Sequence, residues 1–313
     1  MNILLPISIT EAMIGAGTNI PAVDADRGEV AWDPASHAYS IDDAVVFEGK
    51  IYSCVKPHTS AASPTPDSDA THWLYKQPSN RMSPFDEYIF TKARRAGSLK
   101  YVLTPPFFNG FAIYGAEADD VIVTIKDEVG GGDLVPPQTT EMWEQAFGLW
   151  EYLYGNLQKT TKLTRDGLPI RPAAELIIEL IRNSEDVDAE LGMLSVGQWR
   201  TLLSPITDVG GTQFGVEVTP KSYSYYKRNE TTGEYVRRRG RQAKVINASV
   251  VIDAAQAPAV DRLLAAILDI PVAIEASNLP RYGHISTFGF VTGSVVSVDW
   301  PTARVNIKVD GNV

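Results

Sequence analysis

The sequence predicts a mainly β protein: a small β-module, a β-sandwich, and a C-terminal β-barrel or sheet packed by one helix. Three observations predict it. Residues 31–75 set the aromatic anchors Trp32, Tyr39, Tyr52, Trp73 and Tyr75 around short apolar runs. From Asn80 to about Thr201, strand-like runs alternate with Gly and Pro turn signals, the grammar of a sandwich. Beyond Gly210 come long strand-like runs and a single amphipathic stretch.

The elements follow in chain order. Residues 1–29 read as an N-terminal arm, with Leu4–Ile9 either a strand or extended chain. Residues 30–78 form the module: Val45–Val46–Phe47, a tight Glu48–Gly49–Lys50 turn, Ile51–Tyr52, then a polar Pro-bearing loop that closes on Trp73. Pro78–Ser79 reads as its exit linker. In the sandwich, residues 79–204, strands are expected at Tyr101–Leu103, Phe111–Tyr114, Val121–Ile125 and Leu176–Ile181. Turns are expected at Pro105–Pro106, Gly130–Gly132, Pro136–Pro137 and Asp166–Gly167. Met142–Tyr154 stays open: Met142, Trp143, Ala146, Phe147 and Trp150 stand near helical spacing, but Trp150–Tyr154 could equally begin a strand.

Residues 205–313 change grammar. Tyr223–Tyr226, the turn Asn229–Glu234 and Tyr235–Val236 carry a hairpin signature. Ala243–Ile252 reads as a strand. Val260, Leu263, Leu264 and Ile267 then fall on one face of a helix, with Pro258 in its first turn and Pro271 as its stop. Val272–Glu275, Phe288–Val298 and Ala303–Val309 complete the strands. No solenoid-length repeat is visible.

Composition bounds the function. The chain has 313 residues, room for two or three domains, and its 44% hydrophobic and 21% charged content is that of a globular protein. A net charge of −10 argues against general nucleic-acid binding, which needs surplus cations. The one cysteine, Cys54, leaves no intramolecular disulfide, which fits synthesis in a cytosol. No apolar run approaches membrane-spanning length, so no membrane partner is expected. The start, MNILLPISIT, lacks a basic region and a long apolar core, so no signal peptide is expected. A meeting with an outer surface would follow cell lysis or assembly.

Recognisable catalytic chemistry is missing. Four histidines, His37, His58, His72 and His284, make no i, i+4 metal pair. His58, Asp67, Asp69 and His72 could surround an ion, but a polar loop of this kind ordinarily needs none. The chain has no Gly-x-Ser-x-Gly, phosphate-loop or dinucleotide fingerprint. Its many carboxylates show no spacing that singles out a glycosidase pair. The reading is therefore a non-enzyme with no cofactor and no metal.

The order Trp32, Tyr39, the acidic turn, the Val-rich strand, the Gly turn, Tyr52, the Pro loop and Trp73 resembles the small chitin-binding-type carbohydrate-binding modules of bacterial chitinases. Such modules bind and do no chemistry. Trp32, Tyr39, Tyr52, Trp73 and Tyr75 then have two readings, a glycan platform or the module core. The core is favoured. Relatives often carry an exposed Trp pair after the central Tyr, and here Tyr52 is followed by Ser53, Cys54, Val55 and Lys56.

Between Lys221 and Lys244 stand eight Lys or Arg and two Glu, a local +6 inside the −10 chain. Arginines read phosphates well, so nucleic acid is one reading. The favoured one is a subunit interface of Lys227, Arg228, Arg237, Arg238, Arg239 and Arg241 meeting the acidic remainder of a neighbouring copy.

The whole order of segments resembles tail proteins of long-tailed bacteriophages. There a chitin-binding-like module is followed by an Asn-Arg-x-x-x-Phe-Asp sequence, here Asn80–Asp86, then a lectin-like β-region and a Ser-rich hairpin with basic residues. The resemblance implies a distal-tail or baseplate protein, a homo-oligomeric ring at the tail tip that links the tail tube to the adsorption apparatus. Its partners would be tube, tape-measure and hub proteins, with no specific nucleic acid. It would be made in the host cytoplasm and end in the virion. The alternative is a carbohydrate-binding adhesin that holds the particle on host surface glycans.

Overall fold

The computed structural model describes residues 1–144, 146, 148–202, 211–228, 230–277, 282–299 and 301–312. Phe147 of the open segment, Asn229 of the hairpin turn, and the 204/205 boundary with Gly210 lie outside the described residues. Strand takes 47% of the chain and helix 10%, so the class is mainly β.

Two compact units form, and they do not follow chain order. One collects Met1–Pro6, Asn109–Phe111 and Ser195–Val313; the other holds Ile7–Phe108 and Ala112–Leu194.

The first unit is built on a sheet curled into a half-barrel. Its order is residues 197–201, Asn2–Pro6, Pro271–Glu275, Ser286–Asp299, Thr302–Gly311 and Gln242–Asp253, antiparallel at each step. Gly211–Thr212 and Glu217–Ser222 both pair with Gln242–Asp253. Of the open N-terminal run only Leu4–Pro6 is strand, the end of Asn2–Pro6, in which Ile3 and Leu4 are fully buried; Ile7–Ile9 lie outside it. Period-two sequences place one face of the sheet inside. Along Thr302–Gly311, Ala303, Val305, Ile307 and Val309 are buried, and their neighbours turn outward.

Onto that face packs a 13-residue helical run, Ala254–Ala266. Pro258 sits in the first turn of its α-helical part, as expected. Val260 and Ile267 are buried in the core, with Leu263 and Leu264 packed against it. Gly293 allows the approach, because a Cβ there would stand 3.0 Å from a Leu264 methyl. The helix ends before its expected stop. Ile267 caps it, and Pro271 opens the next strand instead.

The second unit holds an antiparallel sheet in the order Asp133–Glu141, Asp120–Lys126, Glu175–Ile181, Ser98–Leu103. Cross-strand register builds its core. Val121, Leu180 and Leu99 form one row, Val123, Ile178 and Tyr101 the next, Ile125, Leu176 and Leu103 the third. Pro136–Pro137 is no turn; it lies inside the edge strand, the one place a sheet tolerates residues without N–H groups. Of the open segment, Leu149–Tyr154 is a short helix, whereas Trp143 pairs with Lys159 in an isolated β-bridge.

Charged groups pin this unit at two points. Lys92 bridges Glu117 and Glu190, and Lys159 contacts the largely buried Asp119, which also accepts from the Asn183 N–H at 2.8 Å. The lysine beside it, opposed by burial, holds the Asp119 carboxyl below its usual range.

Candidate functional site: an aromatic module and a basic hairpin

The module forms inside the second unit. Ala44–Phe47 and Lys50–Cys54 pair as a hairpin, and Trp73–Pro78 adds a third strand to Lys50–Cys54. The turn needs two left-handed residues, and Glu48 (φ 47°) and Gly49 (φ 71°) supply them. Side chains directly across a sheet share a face, so Val45 meets Tyr52 and Cys54 meets Trp73. A second ladder, Ala38–Tyr39 on His58–Thr59, brings Tyr39 over them.

The structure therefore brings three of the five candidate aromatics, Tyr39, Tyr52 and Trp73, into one buried core with Val45 and Cys54. Trp73, only 4% exposed, meets the Tyr39 ring edge-on at 4.9 Å and the His58 ring at 5.1 Å. The Tyr39 hydroxyl accepts from the Asp33 N–H at 2.8 Å. Burial raises the Tyr39 and Tyr52 phenols above their ordinary value, so both stay neutral. It raises the Cys54 thiol likewise, and that thiol lies 3.1 Å from the Lys56 carbonyl. Trp32 is half-buried and packs edge-on to Phe47 at 5.2 Å.

Tyr75 is the exception. It ends the row begun by Trp73, two residues on along the same face, and is 50% exposed beside Tyr52, with ring centroids 6.1 Å apart. Burial, then the nearby Asp86 and Tyr88, raise its phenol. Tyr88 is itself exposed and tilts against Phe90 at 5.2 Å, so this edge presents aromatics that the sequence reading did not single out. Their signal was weak: they lie beyond the closing Trp.

The polar loop has its own economy. His72 bonds Asp69 at 2.7 Å, and its ring lies 4.5 Å from that of His58. Burial pushes the Asp69 carboxyl up, but His72 and two backbone N–H groups outweigh it and hold the carboxyl low. Asp67 instead accepts from the Thr65 hydroxyl. Among the described residues no three of these side chains converge as metal ligands.

The module is seated, not tethered. Ser79, read from sequence as linker, is fully buried and donates its N–H to the Gly49 carbonyl at 2.8 Å. The Glu29 carboxylate accepts from the Asp24 and Asn80 N–H groups, and the Asn80 amide reaches Asp24 and the Arg94 carbonyl. The Arg81 carbonyl accepts from the buried Tyr101 hydroxyl at 2.8 Å, and Phe85 packs edge-on to the Tyr101 ring. The Asn80–Asp86 sequence is therefore the joint between module and core sheet.

In the first unit, Tyr225–Arg228 and Tyr235–Arg238 pair as a two-stranded ribbon in which all eight residues are exposed. Register sorts them. One face carries Tyr225, Lys227, Val236 and Arg238; the other carries Tyr226, Arg228, Tyr235 and Arg237, with the Arg228 guanidinium 5.8 Å from the Tyr235 ring. Arg239 and Arg241 follow, both exposed. Among the described residues no carboxylate lies within ion-pair reach of Lys227, Arg228, Arg237, Arg238 or Arg239.

The family model for carbohydrate-binding module family 5/12 matches residues 31–74, from just before Trp32 to just past Trp73. No curated protein and no solved structure matches the chain. The match covers a small part of the 313 residues, so the chain carries a segment similar to this module.

Proposed function

We propose that the chain is an assembly protein of a phage tail tip, a distal-tail or baseplate subunit that forms a ring between the tube and the adsorption apparatus. The observation that carries the reading is the hairpin: an exposed ribbon that spends three tyrosines, a valine and a row of uncompensated cations on solvent. Exposed aromatics with arginines are the composition of protein interfaces. The seating of the module supports the same reading, because a projecting part of a ring must hold its orientation, and Asn80–Asp86 fixes it to the core sheet. In this reading the chain assembles and catalyses nothing, in the virion after synthesis in the host cytoplasm.

The test is mass. Light scattering on the purified chain should give a stable oligomer well above the 34.2 kDa subunit, and electron micrographs should show rings. A monomer at every concentration overturns the proposal.

The family match favours a second reading, an adhesin for host surface glycans. Sugar rings stack on exposed aromatic faces, and Tyr75 offers one at the edge of the module. Titration with chitin oligosaccharides should then show saturable binding that Tyr75→Ala removes while Trp32→Ala, half-buried against Phe47, weakens it less. Absence of binding to a broad glycan panel overturns this reading.

A further inference from the structure

A second solvent-facing apolar surface lies in the other unit. The helix Leu149–Tyr154 reads LWEYLY and buries none of its residues. Trp150 is 77% exposed, and its ring lies 4.6 Å from that of Tyr154, one turn on. Leu149, Tyr152 and Leu153 are exposed beside them, and Trp143 is exposed nearby. A helix this short is marginal without tertiary packing, yet here its apolar side chains meet water. The sequence hides it because apolar residues run all round the helix rather than along one stripe.

Charge identifies the occupant. From Glu141 to Gln158 the segment holds three carboxylates, Glu141, Glu144 and Glu151, and no lysine or arginine; the adjoining Lys159 lies over the Trp143 ring and is paired with Asp119. The hairpin is the mirror image, aromatic and cationic. We propose that the two surfaces bind each other between copies, the basic hairpin of one chain docking on the surface of Trp143, Trp150 and Tyr154 with Glu141, Glu144 and Glu151 of the next. This rests on the assembly reading above and supplies its missing half. A contact between unlike patches is heterologous, so each copy offers both halves and the chain of contacts closes into a ring or propagates. Rings of Trp150 and Tyr154 against Tyr226 and Tyr235 supply the buried apolar area, while the charges set orientation and encounter rate. An anionic lipid surface would be repelled by the three carboxylates, and a neutral glycan would leave both charge sets unused. A second copy uses everything both patches offer.

The experiment is a charge swap on the full chain, read by light scattering. One variant reverses the acidic patch (E141K, E144K, E151K) and the other reverses the hairpin (R237E, R238E, R239E). Alone, each pits like charges against each other, and its half-assembly concentration should rise by roughly tenfold or more. Mixed one to one, each variant meets its complement, and assembly should return toward the wild-type concentration. Trp150→Ser with Tyr154→Ser should also raise the half-assembly concentration, without rescue by mixing. Unchanged melting by circular dichroism establishes that each variant is folded. Wild-type chains that assemble, paired with reversals that leave assembly intact or mixtures that fail to recover, overturn this contact and leave the assembly reading standing. Wild-type chains that never assemble overturn both.

Discussion

The module and the hairpin are written in the same letters. Both are short antiparallel strands rich in Tyr and Val. In the module a third strand and a second ladder close over one face, and Tyr39, Tyr52 and Trp73 leave water. The hairpin is a lone two-stranded ribbon, and Tyr225, Tyr226 and Tyr235 stay in it. The comparison teaches that aromatic content does not decide burial. The number of layers does, because a two-stranded ribbon has no interior. An aromatic anchor in the module is therefore a stability residue, and one in the hairpin is available for a partner.

That contrast can be broken by mutation. Its largest expected effect is Trp73→Ala, which removes a ring packed on Tyr39 and His58 and should cost ~3–5 kcal/mol in urea unfolding. Tyr226→Ala, 70% exposed in the hairpin, should stay within about 0.5 kcal/mol of wild type in the same assay. Equal costs at the two positions would end the comparison.

Next comes Gly49, which sharpens the account of how the module is seated. Its φ of 71° disfavours any side chain, and an added Cβ would fall 2.5 Å from the Met82 side chain. Gly49→Ala should cost about 1–3 kcal/mol, measured by the shift in denaturant midpoint. A neutral result would mean that the joint tolerates the module sliding on its seat.

Acid should act on the unit that holds the module. The Asp119 carboxyl is held below its ordinary value near 3.8 by Lys159, so the stabilisation it provides is fully present above that value. It is lost as pH falls through the lowered value. The denaturant midpoint should stay level from neutral pH to about 5 and decline below about 4, and Asp119→Asn should flatten that decline. Glu117, also lowered by its lysine, is half-exposed and should contribute less.

The smallest effect on stability belongs to the hairpin cations. Reversing Arg237, Arg238 and Arg239 to Glu should move the melting transition by no more than about 0.5 kcal/mol equivalent. Raised salt should imitate part of its effect on assembly, because exposed charges are screened within about 10 Å at 0.1 M. A folded reversal variant that still assembles as wild type would return the hairpin to ordinary solvated surface.

The sequence by itself determined part of the strands, because period-two burial is a local property; strands without that pattern, such as Asp133–Glu141 and Glu217–Ser222, left no such signal. The runs at Val121–Ile125, Ala243–Ile252 and Ala303–Val309 lie inside strands of the structure, and the stripe Val260, Leu263, Leu264, Ile267 faces a core. It also determined the module, whose aromatic order is short-range and matches a family model. Only the tertiary structure decided that Met1–Pro6 pairs with strands some two hundred residues away or more, because strand partners depend on sheet order and no local pattern records it. It turned Ser79 from linker to buried joint, since its N–H needed the carbonyl that the Gly49 turn offers. And it separated Tyr75 from Trp73, two residues apart on one face of one strand: cover from Tyr39 and His58 reaches the first turn of that row and stops before its edge.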